Sequence, residues 1–371
     1  MTRYVAEQRS SKARRAAVRT VAALAAGLAL TVGAAAPGQA AGSGPASDGA
    51  RTQSGCDTPV AGGASPAAPA VAATASDAPP ALAPAGTGKA AEKISYGIDS
   101  QLPIGLWSSS NVTLRTPVTK GTVRLDVSSR GFSTASLVVQ RYDTAARRWV
   151  DLDVKPGSGS WPTRAVFTFP VTAKGADARH PHTVALRLQD LDRPGTLTVA
   201  ASVDDGRGHT HRAPARSTTA TRPEVTVGGW QRSATLERGG ASRALTVTVK
   251  NTTNRAYPAL RASYFAYGAG KSRALAPKDL KLRQYRPGAG WAEVPLVAGG
   301  CDPGMSATLR PAVRGALAPG ATAVYRLTVG VNRSAPHEVT HTDAGVSVGN
   351  GDMTFFSREL PFAIKGQKPG R

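Results

Sequence analysis

Near the C-terminal end, His337-Glu338-Val339-Thr340-His341 spells His-Glu-x-x-His. On a helix that spacing sets two imidazoles one turn apart around a single zinc ion, with the glutamate as general base. The neighbouring residues argue against a helix. Pro336 precedes, Val339 and Thr340 are β-branched, and Thr342-Asp343-Ala344-Gly345 follows without a third ligand. An internal repeat, described below, aligns Val339-Thr340 with Leu197-Thr198 and predicts a strand. Four residues along a strand span about 13 Å, too far for two ligands each about 2 Å from one metal. The expectation is no zinc site and no metalloprotease.

Other fragments with chemical potential fail on similar grounds. Tyr267-Gly268-Ala269-Gly270-Lys271-Ser272 ends like a phosphate loop, but Phe265 stands where the first glycine belongs. Residues 273–280 promise no helix whose N-terminus could hold phosphate. Asp190 and Asp192 open a run that starts like a calcium loop, yet Pro194 replaces a ligand and Ala201 stands in place of the closing glutamate. His180/His182 and His209/His211 are i, i+2 pairs, whose rings on a strand share one face about 6.6 Å apart. Two such strands side by side offer a metal grip; histidines on the surface at strand ends are the simpler reading. No catalytic, cofactor-binding or metal-binding residue is assigned, and no cofactor is expected.

Two cysteines remain, Cys56 in SGCDTP and Cys301 in GGCDPG. Outside the cytoplasm they are expected to pair with each other, with free thiols or an intermolecular bridge as the alternatives. In the chain-entropy picture a loop of that length is worth roughly 5 kcal/mol.

The elements that must position all of this are strands. Aromatics are 5% of the 371 residues, whereas Gly (40) and Pro (27) are abundant. Period-two alternation puts Val123, Leu125 and Val127 on one face, and it recurs in Val184/Leu186/Leu188, Leu245/Val247/Val249 and Tyr325/Leu327/Val329. Turn residues every ten to fifteen positions predict antiparallel sandwiches. The chain also matches itself. VVQRYDTAARRWVDLDV aligns with KLRQYRPGAGWAEVPL, at an offset of about 140–145 residues. Each copy holds a Tyr…Trp pair, Tyr142/Trp149 and Tyr285/Trp291, flanking a short loop. These are expected to be structural hairpin aromatics, packing across the hairpin and capping the core, in preference to a platform for sugar rings.

Residues 1–40 read as an export signal. Arg3, Arg9, Lys12, Arg14, Arg15 and Arg19 precede an apolar run to about Ala36, and small residues lead to a cleavage site after Ala40. An uncleaved anchor is the alternative, since the run is just long enough to span a bilayer. Residues 41–93 are an Ala/Pro/Gly/Ser-rich spacer without material for a core. Two Ig-like or fibronectin-type β-sandwiches are then expected, over residues 94–222 and 223–371. The fold class is thus all-β, and +18 of the formal charge of +22 falls in residues 94–371, with +5 in residues 1–40 and −1 in residues 41–93.

The stretches LTVTVKNTTNRAYPALRASY, LKLRQYRPGAGWAEVPL, GGCDPGM and LAPGATAVYRLTVGV resemble the tandem Ig-like domains of secreted actinomycete cell-envelope proteins. The resemblance covers residues 224–332 well and 110–205 loosely. Its motifs are structural, so it implies the fold and carries no activity. The expected function is a non-catalytic secreted module, associated with the cell wall, whose basic folded region meets an anionic wall polymer such as teichoic acid, or an envelope protein at a strand edge. The alternative is a carbohydrate-binding module using Trp107, Trp161 or Trp230 as exposed platforms. An enzyme or inhibitor ranks behind both, and nucleic acid is not expected as the physiological partner because of the export signal. A GC-rich codon bias towards Arg is a competing explanation of the charge.

Overall fold

The computed structural model describes residues 92–299, 304–351 and 353–366. The export signal, nearly all of the spacer, Cys56 and Cys301 lie outside the described residues. The described chain is all-β and forms two tandem sandwiches, each of two packed sheets.

The first sandwich contains β1 (Ile94–Ile98), β2 (Gln101–Pro103), β3 (Ser108–Leu114), β4 (Val118–Arg130), β5 (Leu137–Asp143) and β6 (Arg148–Asp151). It continues with β7 (Asp153–Pro156), β8 (Arg164–Ala173), β9 (His182–Asp190), β10 (Gly195–Asp204), β11 (Thr210–Arg212) and β12 (Arg216–Thr221). One sheet runs β1-β3-β9-β5-β6; the other runs β2-β12-β10-β4-β8-β7, with β11 beside β10. The opening segment changes sheets: β1 pairs antiparallel with β3, and β2 then pairs parallel with β12.

The second sandwich repeats this order strand for strand. Its elements are β13 (Glu224–Gly228), β14 (Ala234–Glu237), β15 (Arg243–Lys250), β16 (Leu260–Tyr267), β17 (Leu280–Arg286) and β18 (Gly290–Glu293). They continue as β19 (Val297–Ala298), β20 (Met305–Thr308), β21 (Thr322–Val331), β22 (His341–Asn350), β23 (Met353–Glu359) and β24 (Phe362–Lys365). The sheets are β13-β15-β21-β17-β18 and β14-β24-β22-β16-β20-β19, with β23 beside β22. Even the parallel pair recurs, as β14 with β24. The same topology twice over is the structural form of the sequence repeat.

Alternation settles which face is buried. Val123, Leu125 and Val127 of β4, Leu186 and Leu188 of β9, Leu245, Val247 and Val249 of β15, and Tyr325, Leu327 and Val329 of β21 all point inward and are buried. Removal of such side chains from water at roughly 25 cal/mol per Å² is the main stabilising contribution. Polar groups among them are tied to backbone. Gln284 exchanges two hydrogen bonds with the Arg310 backbone, both at 2.9 Å, and so links β17 to the segment after β20. Asn251, fully buried, donates to the Arg255 and Leu317 carbonyls and fixes the turn after β15.

The sandwiches also share a joint. The ring of Tyr257 is wholly buried, stands 5.6 Å from Phe355, and donates its hydroxyl to the Ile104 carbonyl at 3.0 Å. Arg222 donates to the Phe355 carbonyl at 2.6 Å, and the Asn254 amide donates to the Gln101 side chain at 2.9 Å. Tyr257→Phe removes one buried donor at this joint. It is expected to lower stability by about 1 kcal/mol, read as a shift of the urea midpoint at unchanged slope.

Candidate functional site

The first four residues of the His-Glu-x-x-His stretch are neither helix nor strand. Residues 337–338 form a turn, 339–340 are irregular, and His341 opens β22. The predicted strand was misplaced because the connections differ in length between the copies. Four residues, 191–194, join β9 to β10, whereas nine, 332–340, join β21 to β22. The inward residues of β10, Leu197, Val199, Ala201 and Val203, therefore correspond to Thr342, Ala344, Val346 and Val348.

The letters are occupied with bracing this loop. Val339 is fully buried. Nη2 of the buried Arg238 donates to the carbonyls of Pro336, His337 and Val339 at 2.9, 3.1 and 2.6 Å. Glu338 accepts from the Ser272 hydroxyl and, at 3.3 Å, from the Ser272 amide. The hydroxyl bond holds the Glu338 carboxyl below its ordinary range. Thus the two motif-like stretches, one resembling a zinc signature and the other a phosphate loop, are each other's packing partners. The glycines of the second belong to that packing. A Cβ on Gly268 would lie 2.7 Å from Leu275 and 2.9 Å from Val339, and one on Gly270 would lie 2.3 Å from the Arg273 carbonyl oxygen. Close approach accounts for both glycines. Beside them Arg273 clasps the fully buried Asp279, with contacts of 2.5 and 3.2 Å. Burial acts to raise the Asp279 carboxyl, but Arg273, the Ala276 amide and Ser334 outweigh it and hold the group below the usual range.

Asp190 and Asp192 do not form a calcium loop. Asp192 accepts from the Ser133 amide at 3.2 Å with one oxygen and from Arg193 at 3.0 Å with the other. Asp190, fully buried at the end of β9, accepts from the Asp192 amide at 3.0 Å, while its second oxygen has no hydrogen-bond partner. Burial pushes its carboxyl up to about 7, with a smaller contribution from the charge of Asp192. His209 and His211 face Asp205, at 3.0 and 4.0 Å, and His180 faces Asp177 at 3.3 Å. Among the described residues, no three His, Cys, Asp or Glu side chains are placed to hold a metal ion.

The aromatic residues divide into covered and open sets. Trp107 and Trp149 flank the guanidinium of Arg187, at 4.2 and 4.4 Å from their ring centres, and Trp149 meets Tyr142 edge to face at 5.3 Å. Arg193 lies over Trp161 at 4.6 Å, but Trp161 remains 44% exposed, as expected of it from the sequence, whereas Trp107 and Trp230 are half-buried. Trp230 packs on Phe362 at 5.8 Å and donates to the Pro361 carbonyl at 3.3 Å. In the second sandwich Tyr285 and Trp291 meet edge to face at 5.6 Å and remain 37% and 39% exposed. Both hairpin pairs do pack across their hairpins, Tyr142 opposite Trp149 and Tyr285 opposite Trp291. Neither pair caps the core. Leu280, Leu282 and Gln284 of β17 point inward, so Tyr285, two residues beyond Arg283, stands on the outward face.

Positive charge likewise stands on outward strand faces. Arg124 of β4, Lys155 of β7 and Arg164 of β8 line a groove of about 510 Å³ that Ser128 and, from β10, Thr198 also border. Asp126 offsets Arg124, at 2.6 Å. Lys155 and Arg164 lie on paired strands that hydrogen-bond directly beside them, Gly157 to Arg164 at 2.8 Å. Sequence reasoning missed this groove. The outward positions of β4 and β8 were legible as alternation, but which strand lies beside which was not.

No protein-family model matches the chain, and no curated protein matches it. Among solved structures it is similar to the C-terminal domain of the Streptococcus pyogenes antigen I/II-family protein AspA. The identity is 10% and the TM-score 0.39, over 73% of this chain and 99% of that one. It is also similar to the C-terminal domain of the Streptococcus agalactiae AgI/II polypeptide BspA, at 11% identity and TM-score 0.35 over 73% and 99%. A red sea bream transglutaminase matches at 12% identity and TM-score 0.25, over 74% of this chain and 32% of that one. Likeness at this level bears on neither ligand nor activity.

Proposed function

We propose that the chain is a non-catalytic binding module of the cell envelope, exported by its first forty residues and held out on the Ala/Pro-rich spacer. The partner is an anionic wall polymer met through screened electrostatics. The observation that carries this reading is the groove on β4, β7, β8 and β10, which Lys155, opposite Val166 on β8, and Arg164, two residues along that strand, line together with hydroxyl-bearing residues. Such a face gives long-range attraction and hydrogen bonding without a fixed chemical centre, as a repeating polyanion requires. The side chains that imitate catalytic motifs support the same reading, because Glu338, Ser272 and Asp192 each serve a loop.

The test is co-sedimentation of the full chain with isolated walls of its own host, at low and high salt and before and after removal of anionic polymers. Binding is expected to fall at least tenfold with salt, to vanish with polymer removal, and to weaken severalfold in Lys155→Glu/Arg164→Glu. Retention under both treatments overturns the proposal.

A further inference from the structure

The repeated hairpin is half-buried in one copy and more exposed in the other, and the residues responsible can be named. In the first sandwich Arg187 lies over Trp149 with Trp107 on its other side, and Tyr142 and Trp149 are half-buried. Register assigns their counterparts. Ser108 pairs with Leu188 as Arg243 pairs with Val329, so Trp107, just before Ser108, corresponds to Ser242. Arg187 lies opposite Gln140 as Thr328 lies opposite Arg283, so Arg187 corresponds to Thr328. A tryptophan and a guanidinium are thus replaced by two small hydroxyl side chains; Trp291 is left 39% exposed, and Tyr285, with Arg326 over one side, 37%.

The more exposed face is also charged. Lys281, Arg283 and Tyr285 alternate outward along β17, and Arg326 of β21 lies over Tyr285 at 5.7 Å. Arg283 donates across the hairpin to the Trp291 carbonyl at 3.0 Å, which holds its guanidinium beside the rings. Glu293, opposite Arg283, is the acidic group of this face. Three cations against one anion, arranged around two exposed rings, complement a ligand that is both anionic and ring-containing.

We infer that Tyr285, Trp291, Arg283 and Arg326 form a glycan subsite, taking an acidic polysaccharide whose pyranose ring lies on the aromatic pair while its carboxylate or phosphate meets the two arginines. This deepens the reading of the chain as a binding module and rests on it. Apolar ring faces supply stacking, and the guanidinium forks supply paired donors to the anion.

The test is titration of the full chain with polygalacturonate, with neutral dextran and with poly-L-glutamate, an anion without rings. Polygalacturonate is expected to bind at least tenfold more tightly than either control. Trp291→Ala is expected to weaken it about tenfold, the change typical of an anchoring aromatic. Arg326→Gln is expected to weaken it severalfold, whereas Trp149→Ala in the first copy leaves it within twofold. Ser242→Trp with Thr328→Arg, which rebuilds the first copy's arrangement, is expected to abolish binding; near-UV circular dichroism checks that each variant is folded. Equal affinity for poly-L-glutamate, absence of polygalacturonate binding, or wild-type affinity in folded Trp291→Ala each overturns the subsite. If walls are still bound in a salt-dependent way, the electrostatic module stands without it; if walls are not bound at all, the module reading itself has failed.

Discussion

Replacing Arg238 with methionine is expected to destabilise the second sandwich by about 3–5 kcal/mol, because three carbonyl acceptors lose their donor and an orphaned buried polar group costs roughly 1–3 kcal/mol. Arg238 follows β14 and is buried, and its amide already bonds the Lys365 carbonyl at 3.1 Å. Its side chain passes under the β21–β22 connection and gathers the carbonyls of Pro336, His337 and Val339. Methionine fills much of the volume but offers no donor, so the loss is one of hydrogen bonding more than of packing. Lysine keeps the charge without the planar fork and is expected to recover only part. Urea denaturation of the full chain measures the effect, and limited proteolysis should show earlier cleavage within residues 332–340. A methionine variant within 1 kcal/mol of wild type would mean that water replaces the guanidinium at this loop, and the bracing role would be wrong.

Asp190→Asn is expected to stabilise the protein above pH 7 by up to about 4 kcal/mol and to leave it nearly unchanged at pH 4. The carboxyl is raised from 3.8 in the unfolded chain to about 7 when folded, chiefly by burial. Well below pH 3.8 both states carry the proton and the shift costs nothing, and at pH 4 it still costs little. Between pH 4 and 7 the folded state holds a proton that the unfolded state has released, so stability falls as pH rises. Above 7 both are ionised and the folded protein carries the full cost of a buried charge, at about 1.4 kcal/mol per pKa unit. Asparagine is neutral throughout and removes that slope. The carboxyl lies close to the sandwich joint. The Asp190 carbonyl accepts from the Gly105 amide at 2.9 Å, and the adjacent Ile104 carbonyl receives the Tyr257 hydroxyl. Denaturation at pH 4, 6 and 8 measures the difference between variant and wild type. A difference independent of pH would show that Asp190 is solvated or partnered when folded.

Much of the architecture was legible in the sequence because strands write their burial with a period of two. The inward faces of β4, β9, β15 and β21 follow from alternation alone, and the Tyr…Trp spacing located both hairpins. Alternation could not supply the strand neighbours. The sheet β2-β12-β10-β4-β8-β7 joins residues more than a hundred positions apart, through backbone pairing that no side chain announces. The basic groove and the pairing of Ser272 with Glu338 were hidden for that reason.

The sequence by itself determined that the described chain is a duplicated all-β structure rich in basic side chains, because composition, period and self-similarity survive without a fold. It also excluded a helix at residues 337–341, since proline and β-branched residues oppose one locally. Only the tertiary structure decided what those residues do, because their length-mismatched loop shifts them off β22 and over Arg238. It alone also separated the two hairpins. Tyr142/Trp149 and Tyr285/Trp291 look alike in the chain, and what distinguishes them is the residues on neighbouring strands: Trp107 and Arg187 in one copy, Ser242 and Thr328 in the other.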